Sequence, residues 1–262
     1  HNYLVLLINS IYSHHGQKII IMVFHIEKCS AWCGNLRTKE QWQQWSLGNV
    51  EYLDENELPA LKQIPAMQRR RLSRFAKLTM QCVLDVITDE KDDLPCVFAS
   101  RHGDLHKTSK LIEDVAQKSD LSPTHFGLSV HNAVAGLYSI FANNKQAMTA
   151  TSAGEDSFLM ALVDGYAKLN SQNLDKILIV YTDEVVPEKY SQYVSDTEKT
   201  LSVALILKRQ TNESNLSINF QPQTDNKKTT LFQPLEFLSF FHSENIHITI
   251  DSTRYRWSLN KI

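Results

Sequence analysis

Hydrophobic residues recur along this chain with two different periods, and the change from one period to the other predicts the order of its elements. Apolar, β-branched and aromatic runs favour strands at about 23–32, 95–100, 146–151, 176–181, 201–207 and 246–258. Apolar residues at three- and four-residue spacing favour helices at 67–88, 106–118, 131–143, 155–169 and 231–242, besides a short helix capped by Thr38. The polar stretch 212–229 is expected to be a weakly ordered connection.

This alternation of strands and helices is typical of an α/β protein. We expect a single layered α/β domain with a mainly parallel central sheet, helices covering both of its faces, and an antiparallel addition at one side formed by the terminal strands. A chain of 262 residues with 42% hydrophobic residues is long and apolar enough to bury a substantial core.

The beginning of the chain needs a separate interpretation, because residue 1 is His and the first methionine is Met22. The apolar runs 3–8 and 19–24 are far shorter than the roughly 20 apolar residues of a membrane helix. They also lack the basic start and the cleavage site of a signal peptide. We therefore interpret residues 1–21 as an over-extended start outside the fold, and we expect no membrane span.

Charge and cysteine content exclude two further classes of protein. The formal net charge of −2 lacks the basic excess that drives nucleic-acid binding, so we expect no nucleic-acid partner. The four cysteines are too few for a secreted disulfide scaffold and lack the spacing of a zinc site; they are Cys29, Cys33, Cys82 and Cys96. A reducing cytoplasm is the compartment that this pattern favours.

No common cofactor motif is present. The chain lacks a phosphate loop, a dinucleotide-binding glycine motif and a nucleophile elbow. His102 and His106 have the i, i+4 spacing of metal ligands, with His125 and His131 further along, but Arg101 opposes cation binding and a complete ligand set is missing. Contacts in caps, turns or interfaces are the competing interpretation of these histidines. We expect neither a metal nor another cofactor.

Ser152 is the best-placed nucleophile, because it falls between a predicted strand and a predicted helix. His131 is a candidate base, and the pair together would serve a serine-dependent acyl hydrolase or transferase. The alternative is that Thr151 and Ser152 are small turn residues that cap the next helix.

Cations crowd the start of the predicted helix 67–88, where the helix dipole disfavours them. They are Arg69, Arg70, Arg71, Arg74 and Lys77. One interpretation is a docking patch for an acidic partner or a phosphate-bearing carrier. The other is a solvated face that pairs with nearby acids such as Glu55 and Glu57.

Several motifs stand in a specific order along the chain. The segment 122–158 contains an Asn-x-x-x-Gly-x-x-Ser-Ile helix at 132–140, followed by a short predicted strand. This arrangement resembles the ketosynthase superfamily, in whose condensing enzymes such a helix precedes a short strand that ends in the nucleophilic cysteine. Further marks lie at 67–74, 97–106 and 153–156. The chain is similar in particular to the β-ketoacyl synthase-like chain-length factors of aryl polyene biosynthesis, over roughly 22–207.

The resemblance implies a thiolase-like half-fold and a departure in mechanism. Thr151 stands where a condensing enzyme carries its cysteine, and a threonine hydroxyl lacks the nucleophilicity of a thiolate. Residues 22–262 correspond to the N-terminal half only, so the basic residues that the second half supplies for malonyl decarboxylation are also missing.

What the resemblance implies is therefore a non-catalytic subunit. It would form a heterodimer with a cysteine-bearing ketosynthase and shape the cavity for acyl chains held by phosphopantetheine on an acyl carrier protein. The implied context is type II polyketide or fatty acid biosynthesis. Cavity or interface positions are expected at His131, Asn132, Ala135, Gly136, Thr149 and Ser152. A homodimer that binds only an acyl chain or a carrier is a further alternative.

Overall fold

The computed structural model describes residues 10–12, 18–88, 93–194, 198–224 and 232–262. Within these ranges the strands are β1 (Ser10–Tyr12), β2 (Lys18–Ile20), β3 (Met22–Trp32), β4 (Cys96–Ala99), β5 (Met148–Thr151), β6 (Lys176–Asp183), β7 (Leu201–Lys208), β8 (Leu216–Pro222), β9 (His247–Asp251) and β10 (Tyr255–Lys261). The α-helices of the same ranges are α1 (Lys39–Ser46), α2 (Ala66–Arg69), α3 (Arg74–Val86), α4 (Leu105–Ala116), α5 (Pro123–Gly127), α6 (Ala133–Phe141), α7 (Ser157–Ser171) and α8 (Gln233–His242).

The main sheet has the strand order β5-β4-β6-β7-β3-β8-β10-β9. The layered α/β class is confirmed, but the expected parallel majority is limited to one side. β4 pairs in parallel with β5 and with β6, whereas the five other pairings are antiparallel. β9 and β10 are joined by a short turn, and antiparallel neighbours of this kind need no crossover helix.

Helices cover both faces of this sheet, as expected. Side chains of β6 alternate between the two faces. Ile177 and Ile179 belong to the core formed with α1, α7 and α8, and Leu178 and Val180 to the core formed with α3 and α6. Gly165 lets α7 lie very close to the sheet, because a Cβ atom at that position would come within 2.5 Å of Ile179.

The prediction of one continuous helix at 67–88 is wrong. It is divided into α2 and α3, because Ser73 has an extended backbone and its side chain accepts a hydrogen bond from the backbone nitrogen of Ala76, which starts a new helix. The arginines at 69–71 therefore lie at the end of α2 and in the connection. Only Arg74 lies at the N-terminus of a longer helix.

The expectation of a weakly ordered connection at 212–229 is also wrong for its central part. Leu216–Pro222 forms β8, which lies between β3 and β10 inside the sheet. Its polar residues alternate with Leu216, Ile218 and Phe220, and pairing on both sides stabilises a segment of weak intrinsic preference. Residues 225–231 lie outside the described ranges.

Two further predictions concern the ends of the chain. The single terminal strand expected at 246–258 is a hairpin of β9 and β10, because Ser252 and its neighbours form a turn. The interpretation of residues 1–21 as lying outside the fold stays a prediction. The backbones of β1 and β2 pair antiparallel, and residues 1–9 and 13–17 lie outside the described ranges. No helix in the described ranges is long and apolar enough to cross a membrane.

Candidate functional site

Thr151 is the last residue of the edge strand β5. Its carbonyl oxygen accepts a hydrogen bond from the backbone nitrogen of Ser100 at 3.2 Å, so the ends of β5 and β4 lie side by side. Ser152 follows in an exposed position, and the chain then turns through Gly154, whose φ of +64° suits a residue without a side chain. The Thr151 position therefore lies at the carboxyl edge of the parallel strands, where sites of α/β proteins form.

His131 is half-buried just before α6, and its Nε2 atom lies 2.9 Å from the carbonyl oxygen of Ser100. A carbonyl oxygen only accepts hydrogen bonds, so Nε2 is the donor in this contact. The hydroxyl of Ser152 instead donates to the carbonyl oxygen of Arg101 at 3.3 Å. Ser152 and His131 thus contact different carbonyl groups, and nothing in this arrangement favours their use as a nucleophile and its base.

Asp183, at the end of β6, organises the loop after β4, and sequence reasoning missed it. Its carboxylate accepts hydrogen bonds from the Ser100 hydroxyl at 2.7 Å and from the backbone nitrogens of Arg101 and His102 at 2.7 and 2.9 Å. The Ser100 hydroxyl accepts in turn from the backbone nitrogen of Gly103 at 2.7 Å. These contacts fix the loop 100–103 beneath His131.

Burial raises the pKa of Asp183, and its hydrogen bonds from Ser100, Arg101 and His102 oppose that shift. Burial also raises the pKa of the neighbouring Tyr181 well above its ordinary value. The carboxylate of Glu198 binds the guanidinium of Arg101 at 2.5 Å and Nε2 of His102 at 3.1 Å. The groups of this polar network therefore pair with one another. Such pairing is typical of a structural support rather than of an exposed acid or base.

The candidate metal histidines have other partners. His102 contacts Glu198, and Nε2 of His106 lies 2.8 Å from the carbonyl oxygen of Val185. His125 is exposed on α5. Among the described residues, no three His, Cys, Asp or Glu side chains form a group that could hold a metal ion.

An open groove of about 640 Å³ lies between α6 and β5. It brings together five predicted residues, His131, Asn132, Ala135, Gly136 and Thr149, together with Ser139, Asn144, Lys145, Gln146, Met148 and Ala150. Beneath His131 the interior is almost closed, because the void between α3, β4 and β6 measures only about 10 Å³, close to one water molecule. Space for a larger group at this site therefore lies in the groove rather than in the small void beneath His131.

Comparison with protein-family models gives a match to the N-terminal domain of β-ketoacyl synthases over residues 42–258. The chain belongs to the β-ketoacyl synthase family. No match is found among curated proteins.

Solved structures of ketosynthases share the fold of this β-ketoacyl synthase domain. One is the ketosynthase ApeO in complex with its chain length factor ApeC from Xenorhabdus doucetiae, with 27% identity and a TM-score of 0.79 over 91% of this chain and 99% of the matched one. A β-ketoacyl synthase from Burkholderia phymatum STM815 has 12% identity and a TM-score of 0.58 over 84% and 70%. AntDE:AntF, a type II polyketide synthase acyl-carrier protein in complex with its ketosynthase, has 10% identity and a TM-score of 0.64 over 93% and 100%.

No cysteine of this β-ketoacyl synthase domain has the properties of a nucleophile. All four are free thiols, and burial raises the pKa of each to about 12. Cys96 is at the start of β4 rather than at its carboxyl end. The position that precedes the loop after β5 is occupied by Thr151.

The arginines near α3 separate into two kinds. Arg69 donates to the carbonyl oxygens of Ala60 and Leu61 at 2.8 and 3.2 Å, and Arg74 lies 3.3 Å from Glu184. Arg70 and Arg71 are exposed, and their side chains have no hydrogen-bond or ion-pair partner among the described residues. The acids suggested as their partners, Glu55 and Glu57, pair with Arg37 instead.

Proposed function

We propose that this chain is a non-catalytic subunit of the chain-length-factor type, which forms a heterodimer with a cysteine-bearing ketosynthase. The observation that carries the proposal is Thr151 at the open edge of the sheet, in a chain whose four thiols all have raised pKa values. A threonine hydroxyl without a bonded base does not replace a thiolate in acyl transfer. The chain would contribute to the elongation of carrier-bound polyene or fatty acyl chains by shaping the cavity of its partner.

The partner surface that we propose consists of β5, α6 and the groove between them. Among the described strands none pairs with the outer side of β5, and its four residues include no charge and no proline to prevent pairing with another strand. Ile140 on α6 is 79% exposed. A Cβ atom at Gly136 would meet nothing within 4 Å, which leaves space for a second backbone.

The relatives support pairing of this kind. The ApeO–ApeC structure is a complex between a ketosynthase and its chain length factor, and this chain covers nearly all of the matched chain. The AntDE:AntF structure contains an acyl-carrier protein bound to its ketosynthase. We propose that Arg70 and Arg71 provide the cationic contact for such a carrier, whereas Arg69 and Arg74 are held by contacts within the chain.

Co-expression with the ketosynthase encoded beside this chain tests the proposal. We expect a one-to-one heterodimer in size-exclusion chromatography with multi-angle light scattering. Ile140→Asp should weaken it by at least tenfold, since a charge would be buried in the interface. Ile246→Asp is the matched control, because Ile246 is 74% exposed beside β9 at the opposite edge of the sheet. Two proteins that elute separately would refute the proposal.

A second experiment addresses the missing catalysis. Thr151→Cys in the isolated chain should give no malonyl-dependent elongation, because in the proposed heterodimer the ketosynthase supplies the basic residues for decarboxylation. Elongation by that variant alone would contradict the non-catalytic assignment. Arg70→Glu with Arg71→Glu should weaken carrier binding to the heterodimer, whereas the same change at Lys39 and Lys118, two exposed lysines outside the groove, should leave carrier binding unchanged.

A further inference from the structure

The loop that follows β5, residues 152–156, is fastened to a turn about 100 residues further along the chain. The carboxylate of Glu155 accepts hydrogen bonds from the backbone nitrogen and the hydroxyl of Thr253, at 3.1 and 2.7 Å. The guanidinium of Arg254 donates to the carbonyl oxygen of Ala153. These contacts join the β5 loop to the hairpin turn, residues 252–254, that connects β9 and β10.

A buried carboxylate lies under these surface contacts. Asp156 is 1% exposed, and its Oδ1 atom accepts hydrogen bonds from Nε1 of Trp257 at 2.9 Å and from Nε2 of Gln233 at 3.1 Å. Nε of Arg254 lies 3.5 Å from its Oδ2 atom. The end of the β5 loop is therefore tied to β10 and α8 by the hydrogen bonds of Asp156.

The beginning of the same loop contacts the site. Ser152 donates to the carbonyl oxygen of Arg101, and the hydroxyl of Ser157 accepts from the backbone nitrogen of Ala153 at 2.9 Å. The loop is thus held at the site on one side and by the hairpin turn on the other. Its exposed contacts with Thr253 and Arg254 each add little to global stability, so their effect is local.

We propose that the hairpin turn is a brace that positions the β5 loop, and through it the edge of β5, for the ketosynthase partner. Thr253 and Arg254 are then positioning residues, acting through Glu155 and Ala153. The proposal rests on the proposed function for its partner, but its structural half concerns this chain alone. It predicts that loss of the brace changes local order and partner affinity more than it changes the stability of the fold.

The test compares wild type with Thr253→Val combined with Arg254→Met, in the full chain. Hydrogen–deuterium exchange of 148–156 should become faster by about tenfold, while the melting temperature changes by no more than about 2 °C. Binding to the ketosynthase should weaken by about 5- to 20-fold. Thr253→Ser with Arg254→Lys keeps the hydroxyl and the cation. This variant should show exchange rates and ketosynthase affinity close to those of the wild type.

Arg209→Met is the matched control, because Arg209 is also a partly exposed arginine with an acidic partner, Asp175, but it lies at the end of β7. If the double variant is unstable, Glu155→Ala, a change of a partly buried residue at the other end of the contact, repeats the test. Unchanged exchange at 148–156 overturns the brace, whether or not the ketosynthase binds. Faster exchange with unchanged affinity overturns its role toward the partner. Failure of the wild-type chain to bind the ketosynthase counts against the proposed function alone.

Discussion

The parallel and antiparallel sides of the main sheet differ in where their polar groups lie. On the parallel side, β5, β4 and β6 end together, and Thr151, the loop 100–103 and Asp183 meet at their carboxyl edge. On the antiparallel side, β7, β3, β8, β10 and β9 alternate in direction, so their ends do not converge on one edge. The comparison shows that strand direction decides where polar groups from distant segments gather.

The antiparallel side instead supplies a dense aromatic core. The rings of Phe220 and Trp257 lie 4.6 Å apart, and Tyr255 packs edge-on against Phe220 at 5.2 Å. Trp257 is also the donor to Asp156, so this core reaches the loop after β5. Substitutions on the antiparallel side should therefore mainly remove packing. Substitutions on the parallel side should mainly remove polar contacts.

The largest effect is expected from Trp257→Ala on the antiparallel side. The change removes a fully buried ring and the donor to Asp156, so the free energy of unfolding should fall by about 3–5 kcal/mol. Urea denaturation followed by circular dichroism measures it. Trp257→Phe keeps most of the packing and should lose less. Equal losses for the two variants would mean that the hydrogen bond, rather than the ring, dominates.

Asp183→Ala tests the parallel side and should cost about 2–3 kcal/mol. The variant leaves the Ser100 hydroxyl and two backbone nitrogens without their acceptor. Asp183→Asn keeps one acceptor oxygen and removes the buried charge, so its loss should be smaller. The same urea titration measures both variants. An Asn variant less stable than the Ala variant would contradict the assignment of Asp183 as a hydrogen-bond acceptor.

A smaller effect, on the antiparallel side, depends on pH. His242 stacks on Trp42, and burial together with Lys39 and Lys261 lowers its pKa from 6.5 to about 4. The unfolded chain therefore takes up the proton first as the pH falls, and stability present above pH 6.5 is lost toward pH 4. The contribution should be about 1–2 kcal/mol. His242→Gln should flatten this part of the pH profile, and an unchanged slope would exclude His242 as its source.

Ser152→Ala should have the smallest effect, within about 0.5 kcal/mol, because the side chain is exposed and makes one long hydrogen bond. It should also leave any background ester or thioester turnover unchanged. Abolished turnover in a folded variant would instead support the hydrolase interpretation.

Local sequence patterns predicted the parallel side well. The apolar runs of β4 and β6 and the short run of β5 have strong strand preferences, and the helix motif at 132–140 located the groove. Asp183 was missed because its partners lie more than 80 residues away, and no spacing rule connects them. On the antiparallel side, β8 was missed because its stability comes from pairing with β3 and β10.

The helix prediction at 67–88 failed for a different reason. The apolar spacing continues through the whole segment, but Ser73 forms a cap with Ala76 that interrupts it. The sequence did contain a sign of this interruption, because a cluster of arginines is unfavourable at the start of a helix. The arginines at 69–71 precede the longer helix, which begins at Arg74.

The buried thiols also determine how the proposed complex responds to alkylating reagents. With a pKa of about 12, each cysteine is present as thiolate in only about one molecule in 10⁵ at neutral pH, and three of the four are enclosed in the core. Iodoacetamide should therefore label the native chain very slowly. Rapid labelling of a purified complex is then expected on cysteines of the partner, so it reports on the ketosynthase without separating the subunits.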